Sequence, residues 1–469
     1  AQILILRARF KLLHAIRYHA EMRYSHFGFR EEKFQMAYWN KDIETMPAKE
    51  LEALQYQLLK KLVVRLYDSS EFYHGRMKEA GVLPQDINSL EDIRRLPFMK
   101  KKDLRDGYPD KTFAVPKKEV IRYHASSGTT GKPTVVGYTK NDIEMWTTSL
   151  ARAMKSMGLG EDDVIQVSNT YGLFTGGLGF HYAAEMIGAA AVPASTGNTE
   201  RQIELIQDLG VTAMACTPSY LLHIGEVAEK NGISIKNDTN LRIGLLGGEP
   251  WSDKMRERIQ DWLGVKGQNC YGTSELSGPM FSECSEMDGV HIWGDLAYVE
   301  ILDTETGEPV APGEKGEMVI TMLQKEALPI IRYRIGDITS LYEEPCPCGR
   351  THPRIHRISG RVDDMLVVRG INVFPSQVQH TLMGIPEVGE HFQIVVDRKG
   401  VLDTMMVRVE LNEESFTDNI VKLMEIRENI SYRLKNALNI SSAVELVAPG
   451  TLPRYEGKTK FVVDKRGEF

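Results

Sequence analysis

One stretch limits the architecture of this chain more than any other: between residues 163 and 271, strand-like and helix-like segments alternate without a break. Short apolar runs predict strands over 163–169, 189–194, 211–217, 241–247 and 265–271. The segments between them predict helices over 177–187, 199–209, 219–231 and 252–263. Ser252 is a good N-cap for the last of these, and Gly232 closes the one before it. Alternation of this kind means an α/β fold: mainly parallel sheet flanked by helices on both faces.

Upstream the pattern is helical over 50–102, where Leu51, Leu54, Leu58, Leu62 and Leu66 recur at three- and four-residue spacings and Pro84 and Pro97 punctuate the connections. After Gly272 the grammar changes. Short strands broken by turn signals such as Thr306-Gly307-Glu308-Pro309 and Ala311-Pro312-Gly313 predict a small β-barrel-like or distorted sheet within a β-rich region at about 280–358. Beyond Arg361 the chain predicts a compact α+β unit, with strands near 391–397 and 403–410, a long helix within 415–437 and a last strand near 461–463. The polar link Gly360-Arg361-Val362-Asp363-Asp364 has the shortness of a hinge.

A chain of 469 residues is too long for one hydrophobic core. The expected division is a large domain over 36–360 and a small mobile C-terminal domain over 361–469. Residues 1–35 stand apart. Their first twenty carry Arg7, Arg9, Lys11 and Arg17 with no acidic residue, in an order that fits no signal peptide and without the serines of a transit peptide. Met36 is taken as the natural start and what precedes it as an appended segment.

Composition excludes several classes of function. A formal net charge of −7 argues against a nucleic-acid partner, whose phosphates call for clustered positive charge. No apolar run approaches the roughly 18 residues of a membrane helix. Five cysteines in so long a chain build no disulfide framework and suit a reducing cytoplasm.

The strongest local signal is Ser126-Ser127-Gly128-Thr129-Thr130-Gly131-Lys132-Pro133-Thr134. Its glycines let backbone N–H groups turn inward, its hydroxyls add donors and its lysine adds charge, an inventory suited to a polyphosphate. A Walker A loop is excluded, because Ser126 stands where the first glycine belongs and Pro133 follows the lysine where a hydroxyl residue should bind magnesium. Composition alone leaves a flexible surface loop equally open.

That string resembles the phosphate loop of the adenylate-forming superfamily, which holds acyl-CoA synthetases, luciferases and adenylation domains. Four further segments match in the expected order. Gly247-Gly248-Glu249-Pro250 resembles the adenine-side segment, and Tyr271-Gly272-Thr273-Ser274-Glu275 the segment whose Thr meets the phosphates and whose Glu holds magnesium. Tyr333-Arg334-Ile335-Gly336-Asp337 resembles the ribose-binding segment, and Arg454 to Lys458 the terminal loop with the catalytic lysine. Within the superfamily the chain is most similar to the phenylacetate–CoA ligases, from about Tyr38 to the C-terminus. Tyr38-Trp39-Asn40, His124-Ala125-Ser126, the run from Tyr171 to Gly179 and the run from Arg369 to Ser376 carry that likeness.

The resemblance implies an ATP-dependent aryl acid–CoA ligase, with phenylacetate foremost, working through an acyl-adenylate with Mg2+, ATP/AMP and coenzyme A. Lys458, Glu275 and Thr273 are then catalytic. Ser126, Ser127, Gly128, Thr129, Thr130, Gly131, Lys132, Gly247, Gly248, Glu249, Pro250, Tyr271, Gly272, Asp337 and Arg361 bind nucleotide. Tyr171, Phe174, Gly176, Gly177 and Gly179 line the acid pocket, Asp363 is the pivot of a swinging C-terminal domain, and Gly370 borders the thiol tunnel. The same resemblance implies a homodimer in phenylacetate catabolism. An adenylating enzyme that serves a carrier protein would share every motif, and an inactive nucleotide-binding regulator is a second alternative that Lys458, Glu275 and Asp337 together weigh against.

One further set is independent of the resemblance. Cys346-Pro347-Cys348-Gly349 is a tight pair at a turn, and Cys284 and His291 stand upstream. Three thiolates and an imidazole make a closed zinc set, which leaves no position for water and is therefore structural. Four unrelated residues are the alternative. Cys216 and Cys270 fall in predicted core strands.

Overall fold

The computed structural model describes residues 37–126, 133–362, 366–368, 371–399, 402–417, 419–438, 440–453 and 461–466. Residues 1–36, loop residues 127–132, Asp363, Gly370 and Lys458 lie outside the described residues, so the expectation that 1–35 is an appended segment falls outside them too.

Helix α1 (Ala48–Ser69) buries Leu51, Leu59, Leu62, Val63 and Leu66 along one stripe. Strands β1 (Arg122–Ala125) and β2 (Val135–Tyr138) pair antiparallel, Ala125 opposite Val135, so the glycine- and hydroxyl-rich segment is the connection between them. Helix α2 (Lys140–Ser156) follows. It was not anticipated from the apolar pattern, although its start is written in the chain: the Thr139 hydroxyl accepts from the Asp142 N–H, and the Asp142 carboxylate accepts from the Thr139 N–H.

The expected alternation comes next, as β3 (Val164–Val167), α3 (Gly176–Met186), β4 (Ala190–Val192), α4 (Thr199–Asp208), β5 (Ala213–Cys216), α5 (Pro218–Lys230), β6 (Ile243–Gly247), α6 (Asp253–Leu263) and β7 (Lys266–Thr273). Ser252 caps α6 through the Met255 N–H, as read from the sequence. The strands pair in parallel in the spatial order β7-β6-β5-β3-β4. Downstream lie β8 (Gly278–Ser282), β9 (Val290–His291), β10 (Ala297–Leu302), β11 (Gly316–Met322), β12 (Tyr333–Thr339), β13 (Arg354–Ile355) and β14 (Gly360–Arg361). Three of them extend the parallel sheet to eight strands, with β8 antiparallel on β7 and then β9 and β13. The other four form an open sheet in the order β10-β11-β12-β14. Of the two forms expected for this region, the described residues therefore make the distorted sheet and close no barrel.

The C-terminal part holds a hairpin of β15 (Leu366–Val368) and β16 (Ile371–Val373), then α7 (Pro375–Met383), β17 (Val388–Lys399), β18 (Leu402–Leu411), α8 (Ile420–Leu438), β19 (Ala443–Val447) and β20 (Val462–Asp464). β17 and β18 run antiparallel at the centre, and β20 and β19 join their outer edges in parallel. Its buried residues, among them Phe392, Ile394, Val407, Ile430 and Leu434, form a core of their own. It touches the preceding part where Arg258 of α6 pairs with Glu390 of β17 at 2.9 Å, and where the Ser376 hydroxyl donates to the Ser359 carbonyl at 2.5 Å. No helix among the described residues is long and apolar enough to cross a membrane.

Candidate functional site

Several of the candidate residues stand at strand ends: Ser126 follows β1, Gly247 ends β6 and Thr273 ends β7. Strand β7 runs directly into a one-turn 3-10 helix (Ser274–Leu276), so Thr273 and Glu275 leave the sheet together. Gly272 makes this turn possible: a Cβ there would stand 1.8 Å from the Gly278 carbonyl oxygen across the pair with β8. The Thr273 hydroxyl is buried and has no hydrogen-bond partner among the described residues. The Glu275 side chain is nearly buried. Among those residues no other side chain pairs with its carboxylate, while its main-chain carbonyl accepts a 2.6 Å hydrogen bond from the Lys325 ammonium. A carboxylate and a hydroxyl held in place and left uncommitted suit a hard cation with phosphate oxygens. Magnesium thus fits the residues present.

Asp337, on β12, is held from two sides. The Tyr271 hydroxyl donates to its Oδ2 at 2.5 Å, and the Arg361 guanidinium donates to its Oδ1. The register of β12 on β14 sets Asp337 directly opposite Arg361, so strand pairing aims the ion pair. Burial, and then the Asp337 charge, push the Tyr271 phenol well above its usual range, which keeps it a donor.

Ser126, at the end of β1, begins the segment expected to be a phosphate loop. Its N–H donates to the Thr134 carbonyl and its hydroxyl accepts from the Thr134 N–H, both at 3.0 Å, pinching the loop shut at its base. One residue earlier, His124 and Ala125 share an acceptor. The Ala125 N–H donates to the Leu173 carbonyl at 2.9 Å, and His124 Nδ1 lies 3.1 Å from the same oxygen. A carbonyl only accepts, so Nδ1 carries the proton, and burial pushes the imidazole pKa down in keeping with a neutral ring.

That shared bond fixes the aromatic stretch. Tyr171 is half-buried, with its hydroxyl 3.3 Å from His181 Nδ1 and its pKa pushed up to about 12 by burial. Phe174 is 45% exposed and Leu173 64%, an open apolar wall. Gly176 and Gly177 begin α3. At Gly179 a Cβ would meet Trp146 at 2.6 Å and Leu150 at 2.7 Å, so this glycine lets α3 close on α2. Gly247 ends β6, and Gly248 and Pro250 are exposed in the following turn. Glu249 is turned to α5, where its carboxylate accepts from the Ser219 N–H at 2.7 Å.

Sequence reasoning missed Lys325. It is 0% exposed, and burial pushes its ammonium down to about 8 against the raising influence of Asp142 and Glu275. A single lysine between Gln324 and Glu326 gives no periodic sign of where its side chain goes.

The cysteine–histidine set converges. The ligand atoms of Cys284, His291, Cys346 and Cys348, all buried, lie within 4.8 Å of one another. Cys284 and Cys346 sulfurs are 3.7 Å apart, and Cys348 Sγ is 3.5 Å from His291 Nε2. A tetrahedral zinc with bonds of about 2.3 Å to sulfur and 2.0–2.1 Å to nitrogen spaces its ligand atoms at roughly 3.5–3.8 Å. The donor set therefore fits zinc. Cys216 and Cys270 are buried in β5 and β7.

Comparison with known proteins gives the family of the chain. The AMP-binding enzyme family matches residues 44–323, and the AMP-binding enzyme C-terminal domain matches residues 370–466. In sequence the chain is similar to the phenylacetate–coenzyme A ligase of Thermus thermophilus, 46% identical over 440 residues that cover 91% of this chain and 99% of that protein. It is 45% identical over 426 residues to the Escherichia coli phenylacetate–coenzyme A ligase, covering 90% and 97%. Among solved structures it resembles 2-hydroxyisobutyryl-CoA ligase in the postadenylation state, with a TM-score of 0.87 and 31% identity over 94% of this chain and 95% of that one. Against the same enzyme in the thioesterification state the TM-score is 0.68, at 31% identity and 94% of each chain.

Proposed function

The chain belongs to the phenylacetate–coenzyme A ligases of the AMP-binding enzyme family, and from that membership we propose how its residues share the work. The enzyme joins an aryl acid to coenzyme A through an acyl-adenylate. In the first half-reaction a carboxylate oxygen attacks the α-phosphorus of ATP and pyrophosphate leaves. In the second the thiol sulfur of coenzyme A attacks the acyl carbonyl, its proton is lost, and AMP leaves.

Both partners in the first step are anionic, so the protein's task is positioning and charge neutralisation. Glu275 would hold magnesium, which would supply charge neutralisation at the phosphates. The Thr273 hydroxyl, buried and uncommitted, donates to a phosphate oxygen, and it is the observation that most directly supports this reading. Thr129, Thr130 and Lys132 serve the β- and γ-phosphates. Asp337, oriented by Tyr271 and Arg361, accepts from the ribose hydroxyls. Gly247, Gly248, Glu249 and Pro250 border the adenine, and Tyr171 and Phe174 present flat apolar walls to an aryl ring. Lys458 bridges the attacking carboxylate and the α-phosphate.

Lys458 has to leave before the thiol can arrive, so residues 361–469 turn about Asp363 and bring Gly370 to the thiol path. The higher TM-score against the postadenylation state than against the thioesterification state supports the first of these arrangements for the structure described above. Zinc on the Cys284, His291, Cys346 and Cys348 set serves the fold. A homodimer in the cytoplasm, acting in phenylacetate breakdown, completes the proposal.

AMP formation by the purified protein with ATP, magnesium and coenzyme A against a panel of aryl and aliphatic acids tests it. Coenzyme A-dependent turnover is expected to be highest with phenylacetate. Acid-dependent pyrophosphate release without thioester would overturn coenzyme A as the acceptor and favour a carrier protein.

A further inference from the structure

Lys325 has no part in the mechanism above, yet its burial demands a reason. Lysine is almost never fully buried unless paired, and here the pairing is unusual. The ammonium donates to the main-chain carbonyl of Glu275 at 2.6 Å and faces the Tyr138 ring at 5.3 Å from its centroid. Asp142 and Glu275 are the carboxylates whose charge reaches it, and neither bonds to it directly. Asp142 is already committed, accepting from the N–H groups of Thr139 at 2.9 Å, Glu326 at 2.7 Å and Ala327 at 2.9 Å.

Those same bonds show how the lysine is aimed. From α1, the Arg65 guanidinium donates to the carbonyls of Lys325 at 2.7 Å and Glu326 at 3.2 Å. At the start of α2, the Thr139 hydroxyl and the Asn141 amide donate to the Glu326 carboxylate at 2.7 Å and 3.0 Å. The backbone over 325–327 is thus tied to two helices, and the ammonium is delivered to the underside of the turn that carries Glu275. A bond to the carbonyl holds that residue in place and leaves both carboxylate oxygens free. Groups that orient a metal ligand without touching the metal work in this way.

We propose that Lys325 is a positioning residue for the adenylation step, which fixes the Glu275 turn from beneath so that the Glu275 carboxylate faces the magnesium-bound phosphates. The inference rests on the reading of Glu275 as the magnesium ligand. Acid-dependent exchange of labelled pyrophosphate into ATP, followed against free Mg2+, tests both together in wild type, Lys325→Met, Glu326→Ala and Glu275→Gln. Lys325→Met should raise half-saturating Mg2+ and lower the maximal rate by roughly 10–100-fold, with the KM for the acid unchanged. Glu326→Ala, which loosens the seat of the lysine at a half-buried position, should shift Mg2+ the same way by less, and it decides the matter if Lys325→Met does not fold. A lysine that served the fold alone would lower the unfolding temperature and leave half-saturating Mg2+ where it is, and that result would overturn the proposal. If Glu275→Gln also leaves Mg2+ dependence untouched, the Glu275 reading itself fails; if Glu275→Gln alone shifts it, only the role of Lys325 does.

Discussion

At Asp337 the carboxylate is oriented by one neutral and one charged donor, and the two can be separated. Tyr271→Phe removes the neutral donor with no change of shape. A hydrogen bond to a charged group contributes about 1.5–3 kcal/mol, so the KM for ATP should rise on the order of tenfold or more. The rate at saturating ATP should change little, because the lost contact serves bound substrate and transition state alike. His352 offers a second test, through stability. Its Nδ1 accepts from the Gly294 N–H at 3.3 Å, and its Nε2 lies 2.9 Å from the Ile43 carbonyl. That arrangement needs the neutral ring, and burial pushes the pKa down to about 4. The unfolded chain takes up the proton near pH 6.5 and the folded chain only near 4, so stability is lost as pH falls through that window. Thermal unfolding of wild type should lose about 3 kcal/mol more than His352→Gln between pH 6.5 and 4. Asp337 and Glu275 were legible because ordered motifs announce them. His352 and Lys325 were not, since a buried polar residue is defined by partners hundreds of positions away or across a sheet.

At the scale of elements, the alternation of strand and helix was readable because each crossover is local and each strand is an apolar run. The four-residue strands β1 and β2 were not read, because only their pairing identifies them, and α2 was hidden although its capping box stood in plain view. β19 was missed for the same reason as β1: an edge strand of mixed polarity, Ala443 to Val447, has little pattern until β18 lies beside it. The cysteine–histidine set was legible as composition, and the structure adds convergence: it ties β9 and the segment after β8 to the turn at 346–349. We expect zinc to co-purify stoichiometrically. Cys346→Ser should lower zinc content and the thermal unfolding midpoint together, while pyrophosphate exchange per folded molecule stays within about twofold, as suits a closed structural site. Metal analysis beside unfolding curves checks this.

At the scale of the whole molecule, the C-terminal part meets the preceding part at an ion pair that can break. Arg258 and Glu390 join α6 to β17, and the proposed turn of residues 361–469 about Asp363 would part them. Arg258 is about half exposed, so the pair contributes only about 0.2–1 kcal/mol. Arg258→Ala should therefore slow acyl-adenylate formation by up to about fivefold and leave thioester formation no slower, measured by single turnover of each half-reaction. That the molecule has a separate C-terminal unit was readable from the change of pattern after Arg361. Which arrangement it adopts was not, because the same residues serve both.

The Leu173 carbonyl, gripped by His124 and Ala125, ties the stretch proposed to line the acid pocket to the root of the proposed phosphate loop. On that proposal a ligand on either side would bear on the same Leu173 carbonyl, so binding of acid and of nucleotide is expected to be coupled. Thermodynamic linkage then fixes a symmetry: whatever factor a nucleotide gains in affinity from the acid, the acid gains from the nucleotide. Calorimetric titration of a non-hydrolysable ATP analogue with and without phenylacetate should give the same factor as the converse titration, and one greater than unity.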